Sequence, residues 1–223
     1  MAVTNYPEIQ LVVFDLGRVL LRIADDWNHA ASRARHPELS GLTGDLSSVK
    51  ARGEHHPIAT LLDRFEIGAV TVDDFFRETA AISQQPADAL QKVMDAVLIE
   101  AFPGTPTLLE QLSRRPVKTA CLSNTNARHE ALFTDPGHAS FTPVHRLDFP
   151  LYSHTIGHAK PHAAAYAAVE TTTQTDPAHI LFFDDLDENT AAAADRGWHT
   201  VLVPRVDNPI PLITQHLHAY RVL

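Results

Sequence analysis

Five short runs, IQLVVF (9–14), VKTACLS (117–123), FPLYS (149–153), HILFFDD (179–185) and HTVLVP (199–204), are apolar along most of their length. A half-exposed strand alternates apolar with polar residues, whereas runs like these mark strands buried on both faces. Between them lie helix-like stretches: TPTLLEQLSRR (105–115), ARHEALF (127–133), HAAAYAAVETT (162–172) and ENTAAAADRG (188–197). Strands alternating with helices predict an α/β fold, a parallel sheet with helices on both faces. In such sheets the working residues gather at the carboxyl ends of the strands.

Residues 24–100 break the alternation. ATLLDRFEIGAVTVDDFFRETAAI and PADALQKVMDAVLIEAF space their apolar residues helically, with no convincing strand between them. Thr71 followed by Asp74 reads as a capping box opening the helix that carries Phe75 and Phe76. PGTP at 103–106 marks the return to the sheet. The expected organisation is a core domain of residues 1–23 and 101–223, interrupted after the first strand by a small helical cap of residues 24–100.

At 223 residues, 44% of them hydrophobic, the chain is long enough to bury the core of one domain with such an insertion. Its formal net charge of −9 argues against nucleic-acid backbones or an anionic membrane as main partner, since both need clustered Lys and Arg. A local positive pocket for a small anion is compatible with that charge. Cys121 is the only cysteine, so no internal disulfide can form. MAVTNYPEIQ at the N-terminus lacks a basic and then apolar leader, and no 18-residue apolar run follows. These features predict a soluble cytoplasmic protein.

The element ends concentrate reactive groups. The first strand ends in Asp15, the next in Ser123-Asn124, and FFDD in Asp184-Asp185, while Lys160-Pro161 opens the helix before FFDD. A nucleophilic carboxylate, a hydroxyl, an ammonium and an acidic pair are what phosphoryl transfer to an aspartate requires. The carboxylate attacks phosphorus, acids hold a divalent cation that neutralises the phosphate, and lysine and hydroxyl orient the remaining oxygens. Oxygen ligands point to Mg²⁺.

Plainer roles compete with these. Asp15 can end a strand and no more. Ser123 and Asn124 can start a turn, with Asn126 as the next N-cap. Lys160 can be a solvated residue ahead of a helix-starting proline. Asp184 and Asp185 suit a helix N-terminus, yet adjacent acids after a buried run repel each other, and a cation stabilises them. His154, His158 and His162 are four apart, but Gly157 and Lys160-Pro161 argue against one helix presenting all three, which leaves them solvated. Cys121 has no evident activating base and reads as a small buried hydrophobe.

The order FDLG, LSN, KP, FFDD, spanning Leu11 to about Val203, resembles the haloacid-dehalogenase-type hydrolase superfamily, in its subgroup with a helical cap after the first motif. The form FDLG…LSNTN…KP…FFDD…N is most similar to small-sugar-phosphate phosphatases of the glucose-1-phosphate phosphatase type. The resemblance implies a Rossmann-like core and a Mg²⁺-dependent aspartyl-phosphate mechanism on a small phosphorylated metabolite. In it Asp15 would be nucleophile and metal ligand, Gly17 would lend its backbone carbonyl to the metal, and Asp185 would be the third protein ligand. Asp184 and Asn189 would support the metal from nearby, and Ser123, Asn124 and Lys160 would complete the catalytic set.

Gly17 departs from the superfamily's usual pattern. Most of its phosphatases carry an Asp two residues after the nucleophile, which protonates the leaving oxygen and later activates water. Three readings follow: a phosphatase without that acid, a 2-haloacid dehalogenase whose halide leaves without a proton, or a non-enzymatic binder of phosphorylated ligands or partners. General acid–base help is worth ~10²–10⁴-fold, so its loss slows a phosphatase without disarming it. The DLG-type subgroup, which also lacks the Asp, favours the first reading, and the Asp184-Asp185 pair counts against a metal-free dehalogenase. Arg22, Asp25, Asp26 and Trp27 follow the first motif closely enough to line an entrance, or to form an ordinary solvated linker.

Overall fold

The computed structural model describes residues 8–40 and 57–223. Its centre is a sheet of five parallel strands: β1 (Leu11–Phe14), β4 (Lys118–Ser123), β5 (Phe149–Tyr152), β6 (Ile180–Asp184) and β7 (His199–Leu202), in the order β5-β4-β1-β6-β7. Each expected strand is present, shortened by a residue or two at one or both ends. Successive side chains along a strand point to opposite faces. Leu11 and Val13 of β1, with Ile180 and Phe182 of β6, pack under α8 (Ala163–Thr173) and α9 (Asp187–Ala194). Val12, Phe14, Leu181 and Phe183 pack on the other face under α5 (Thr105–Leu112) and α10 (Ile210–Ala219). Phe14 and Phe183 stack with centroids 5.4 Å apart. Apolar side chains needed on both faces leave no room for alternation, which is why these runs are continuously hydrophobic. The result is a Rossmann-like α/β sandwich.

The register fixes the functional edge. Phe14 lies opposite Cys121 on one side and Phe183 on the other, and the Asp15 N–H donates to the Phe183 carbonyl at 2.8 Å. Asp15 is thereby level with Asp184 at the carboxyl edge. The α6 helix (Ala127–Phe133) starts as expected, with Asn126 Oδ1 accepting from the His129 N–H at 3.0 Å.

Between β1 and β4 the chain forms β2 (Leu21–Ile23), α1 (Trp27–Arg33), α2 (Pro57–Glu66), α3 (Val72–Ser83), α4 (Ala87–Asp95) and β3 (Leu98–Ala101). The helices share a hydrophobic cluster of their own around Trp27, Leu62, Phe65, Phe75 and Leu90, with Phe65 stacked on Phe75 at 4.3 Å. Thr71 caps α3 as expected; its Oγ accepts from the Asp74 N–H at 3.2 Å and donates to the Asp74 carboxylate at 2.8 Å. One expectation is corrected: helical spacing does not run through VLIEA. The α4 helix ends at Asp95, and Leu98–Ala101 pairs antiparallel with Leu21–Ile23, placing Arg22 opposite Glu100. A short apolar run cannot be assigned by periodicity when its pairing strand is remote in sequence. Among the described residues no helix is long and apolar enough to cross a membrane.

The helical insertion rests directly on the core. Arg128 of α6 holds Asp95 through two bonds of 2.8 and 2.6 Å, and Ser153 Oγ donates to the Glu66 carbonyl at the end of α2. Gly68 sits at φ +73°, and a Cβ there would run into the carbonyl oxygen of His154. Both the left-handed backbone and the close approach demand glycine. Gly68→Ala is expected to cost at least about 1–3 kcal/mol, read as a lower urea midpoint at unchanged slope; a change below ~0.5 kcal/mol would mean that this contact is not held in solution.

Candidate active site

The site is organised around one buried lysine. A short helix, α7 (Ser153–Ile156), ends at Gly157, and the chain then turns through Lys160 towards α8. Asn124, just past β4, grips the Lys160 backbone on both sides: its Nδ2 donates to the Lys160 carbonyl and its Oδ1 accepts from the Lys160 N–H, each at 2.8 Å. So anchored, Lys160 Nζ reaches Asp184 Oδ2 at 2.7 Å and Asp15 Oδ1 at 2.9 Å, and lies 5.5 Å from the centre of the Phe182 ring. The residue is only 2% exposed. Burial alone would lower its pKa, but the two carboxylates outweigh burial and raise it above the usual lysine value. Lys160 is an ammonium at every physiological pH.

Two acids hold this ammonium, and a third, Asp185, stands beside them. Asp184 is fully buried and also accepts from the Leu186 N–H at 2.9 Å and Asn189 Nδ2 at 3.0 Å. Burial raises its carboxyl above the ordinary value, against the pull of Lys160. Asp185 is different. Its Oδ2 is buried and has no hydrogen bond; Arg205 Nε and Arg18 Nη1 stand 3.5 and 3.9 Å away without donating one. Burial first, then the charges of Asp15 and Asp184, push Asp185 up to about 7. Carboxylate oxygens of Asp15, Asp184 and Asp185 lie within 4.8 Å of one another, and among the described residues this is the only such grouping of three or more acids, histidines or cysteines. Adjacent carboxylates with an oxygen lacking any donor are the environment that a hard, oxygen-seeking cation satisfies. The donor set fits Mg²⁺.

The other expected residues fall into place around this centre. Ser123 is buried and lines the cavity with Asp15, Gly17 and Lys160, whereas the Asn124 amide is engaged with the Lys160 backbone. Of Arg22, Asp25, Asp26 and Trp27, only Trp27 lines the cavity. Asp26 caps α1, Asp25 faces His29, and Arg22 lies over Phe102 and donates to the Asp207 carbonyl. The three spaced histidines share no helix, because Gly157 ends α7, but His154 is not solvated as expected: its side chain is largely buried and pairs with Glu130 at 2.8 Å. Cys121 is fully buried, its thiol pushed up to about 12 by burial, as suits a packing residue.

Above the acids the cavity extends towards the insertion, with a volume of about 150 Å³, below the ~300–1,000 Å³ of pockets for drug-sized ligands. Among the lining residues that the sequence did not mark as site candidates are Arg18, Ile23, Glu66 and His129. Arg18 anchors the turn after β1 by donating to the Ala24 and Asp25 carbonyls at 3.1 and 2.9 Å. His129 Nε2 donates to the Met94 carbonyl at 2.9 Å; burial lowers the ring below the usual imidazole value, so it is neutral at neutral pH. Glu66 did leave a signal: it continues the apolar stripe Ile58, Leu61, Leu62, Phe65 of α2, where a solvated acid is out of place. Ile23 is the least foreseeable. Its Cδ1 lies 3.0 Å from where a Cβ on Gly17 would sit, so it fills the space above the glycine.

The fold and the acidic cluster are those of a Rossmann-like hydrolase. Residues 9–197 match the haloacid dehalogenase-like hydrolase family, and the chain belongs to it. Enolase-phosphatase E1 of Drosophila mojavensis is 35% identical over 68 residues, which span 30% of this chain and 26% of that protein. A predicted HAD-like family hydrolase from Porphyromonas gingivalis superposes with a TM-score of 0.74 at 21% identity, covering 95% of this chain and 98% of the other. The HAD family enzyme BT-2542 of Bacteroides thetaiotaomicron, solved with magnesium and inorganic phosphate, gives 0.68 at 18% identity over 86% and 93% of the two chains.

Asp185 links metal binding to stability. The contribution of its neutral form is full below the carboxyl's ordinary 3.8 and is lost as pH rises through about 7. A cation that ligates the ionised form removes the penalty above that pH. Added Mg²⁺ should therefore raise the Tm more at about pH 8 than at about pH 6, and Asp185→Asn should flatten the difference. Thermal melts in Mg²⁺ and in chelator check this; equal shifts at both pH values would contradict it.

Proposed function

We propose that this chain is a Mg²⁺-dependent phosphatase of small phosphorylated metabolites, working through an aspartyl-phosphate on Asp15. The observation that carries this reading is the buried Lys160 ammonium bridging Asp15 and Asp184 beside an Asp185 oxygen that nothing hydrogen-bonds. Kinship with an enolase-phosphatase and with a fold relative solved with magnesium and phosphate supports it. We take residues 24–100 as a cap over a core of 1–23 and 101–223. A haloacid dehalogenase of this superfamily works without metal, which would leave Asp184 and Asp185 without the cation that their arrangement suits.

In this reading Lys160 holds Asp15 Oδ1 and so fixes the plane of the nucleophilic carboxylate. An Asp15 oxygen forms the bond to phosphorus while the bond from phosphorus to the leaving oxygen breaks; water then attacks phosphorus, phosphate leaves and the carboxylate is restored. Lys160 balances charge on the phosphoryl oxygens, with Ser123 at the cavity wall to orient them. Asp15, the Gly17 carbonyl and Asp185 would hold Mg²⁺, Asp184 and Asn189 standing behind. When bound, the ion neutralises phosphoryl charge during transfer. Asn124 acts one step back, by fixing the Lys160 backbone.

Asp15→Asn is nearly isosteric but cannot form the acyl phosphate, so Mg²⁺-dependent phosphate release from an aryl phosphate should fall at least ~10⁴-fold with the melting profile retained. Halide release from 2-haloacids, run alongside in chelator, is expected to be nil; halide release without phosphate release would replace this reading with the dehalogenase one.

Gly17 predicts which esters react. With no side chain to protonate the leaving oxygen, aryl and sugar 1-phosphates should outrun alkyl phosphates and sugar 6-phosphates, because their leaving anions are more stable. Restoring the acid needs space that Ile23 occupies. Gly17→Asp alone should gain little, whereas Gly17→Asp with Ile23→Ala should raise kcat for alkyl phosphates towards ~10²-fold. A plot of kcat against leaving-group pKa for the three proteins checks this. A flat wild-type plot would show that another group already supplies the proton.

A further inference from the structure

Arg18 has an unusual backbone for its place. Among the described residues five other than glycine have a positive φ, and Arg35, Gln84, Gln174 and Arg221 each follow the end of a helix, where that conformation is ordinary. Arg18, at +59°, follows a strand instead and lies three residues past Asp15. A left-handed backbone outside glycine is sparsely populated and persists where the surroundings determine it. Here the side chain does so. It lines the cavity, 13% exposed, and Nη2 is spent on the Ala24 and Asp25 carbonyls, which holds Nη1 at 3.9 Å from Asp185 Oδ2.

Arg205 approaches the same oxygen from the loop after β7, with Nε at 3.5 Å. That loop is pinned just beyond it: Arg22 donates to the Asp207 carbonyl at 2.7 Å, and Asn208 Nδ2 to the Pro103 carbonyl at 3.0 Å. Neither arginine donates a hydrogen bond to Oδ2, which is buried and unbonded. An arginine bonded to Oδ2 would block it as a metal ligand. One held a few ångströms back leaves the lone pairs free and contributes only its charge. That charge partly balances the acids, and it opposes any divalent cation that comes to them.

We infer that Arg18 and Arg205 are positioning residues that act through Asp185 as built-in competitors of Mg²⁺: they lower the affinity of the acidic centre for the ion and so keep it exchangeable with solution. This inference rests on reading Asp15 and Asp185 as ligands of Mg²⁺. It has a distinctive sign, because removing either arginine strengthens metal binding, whereas losing a ligand or a supporting contact weakens it. Repulsion of a divalent ion by one guanidinium at such distances is worth about tenfold in affinity even at high effective dielectric.

The test is calorimetric titration of the metal-free, full-length protein with MgCl₂ at about pH 9, where protons no longer compete for the carboxylates. Arg18→Met is expected to bind the ion about tenfold more tightly than the wild type. Arg18→Lys, which keeps the charge and gives up the paired carbonyl bonds, should stay within about threefold of it. Arg205→Met, at a half-exposed position, should tighten binding severalfold at low salt and leave it unchanged at about 1 M KCl, where exposed charges are screened. Thermal melts give an independent reading: the rise in Tm on adding Mg²⁺ should be larger in Arg18→Met than in the wild type. If Arg18 only props up its turn, both of its substitutions weaken binding, and that result overturns the inference. Binding that depends on Asp185 but is unchanged in Arg18→Met and Arg205→Met overturns the inference alone. A wild type that takes up Mg²⁺ no better than Asp185→Asn overturns the ligand reading and the inference with it.

Discussion

A buried ammonium shared by two carboxylates is the interaction on which the rest of this site depends. Taking a charge out of water costs several kcal/mol, so Lys160 can be 2% exposed only if its partners are held rigidly. Each restraint has a visible source. Sheet register sets Asp15 beside Asp184, and the Asn124 amide fixes the backbone from which the lysine springs. Asn189 and the Leu186 N–H hold Asp184 from behind. One acceptor is left over: Lys160 serves Asp15 and Asp184, while Asp185 Oδ2 is buried with two arginines nearby and no hydrogen bond. That oxygen is where a cation has most to offer.

The sheet was legible in the sequence because its strands are buried on both faces, which makes them continuous apolar runs that few other elements imitate. The residues of the acidic edge were legible for a related reason: Asp15, Asp184 and Asp185 each follow directly on such a run, where polar residues need a purpose. Helix starts came from Thr71 and Asn126, whose side chains cap the backbone locally. What failed to show was whatever depends on distant contact. β3 needed a pairing strand far away in sequence, α10 lay outside the alternation of strands and helices, and nothing local says that Ile23 would sit over Gly17.

Asn124 shows the same limit within the site. Its residue type and its place at a strand end are what a phosphate-binding group would have, and only the coordinates reveal that both ends of its amide are engaged with Lys160. Glu66 is the converse case. The stripe of α2 marks it as a buried acid, but the wall it shares is assembled from separate segments, Trp27 of α1, Leu62 of α2, Met94 of α4 and Leu98 of β3.

The antiparallel pairing of β2 with β3 has a mechanical side. The chain enters and leaves the helical insertion through two strands hydrogen-bonded to each other, which ties it to the core along one short line. Away from that line it is pinned again, by Arg128 on Asp95, by Ser153 on the Glu66 carbonyl and by the close packing of Gly68 on His154. A body fastened both along an edge and at points off that edge has no free rotation left. Ile23, on the paired strands, is thereby kept over Gly17, and the height of the space above the acids is set by the frame around it.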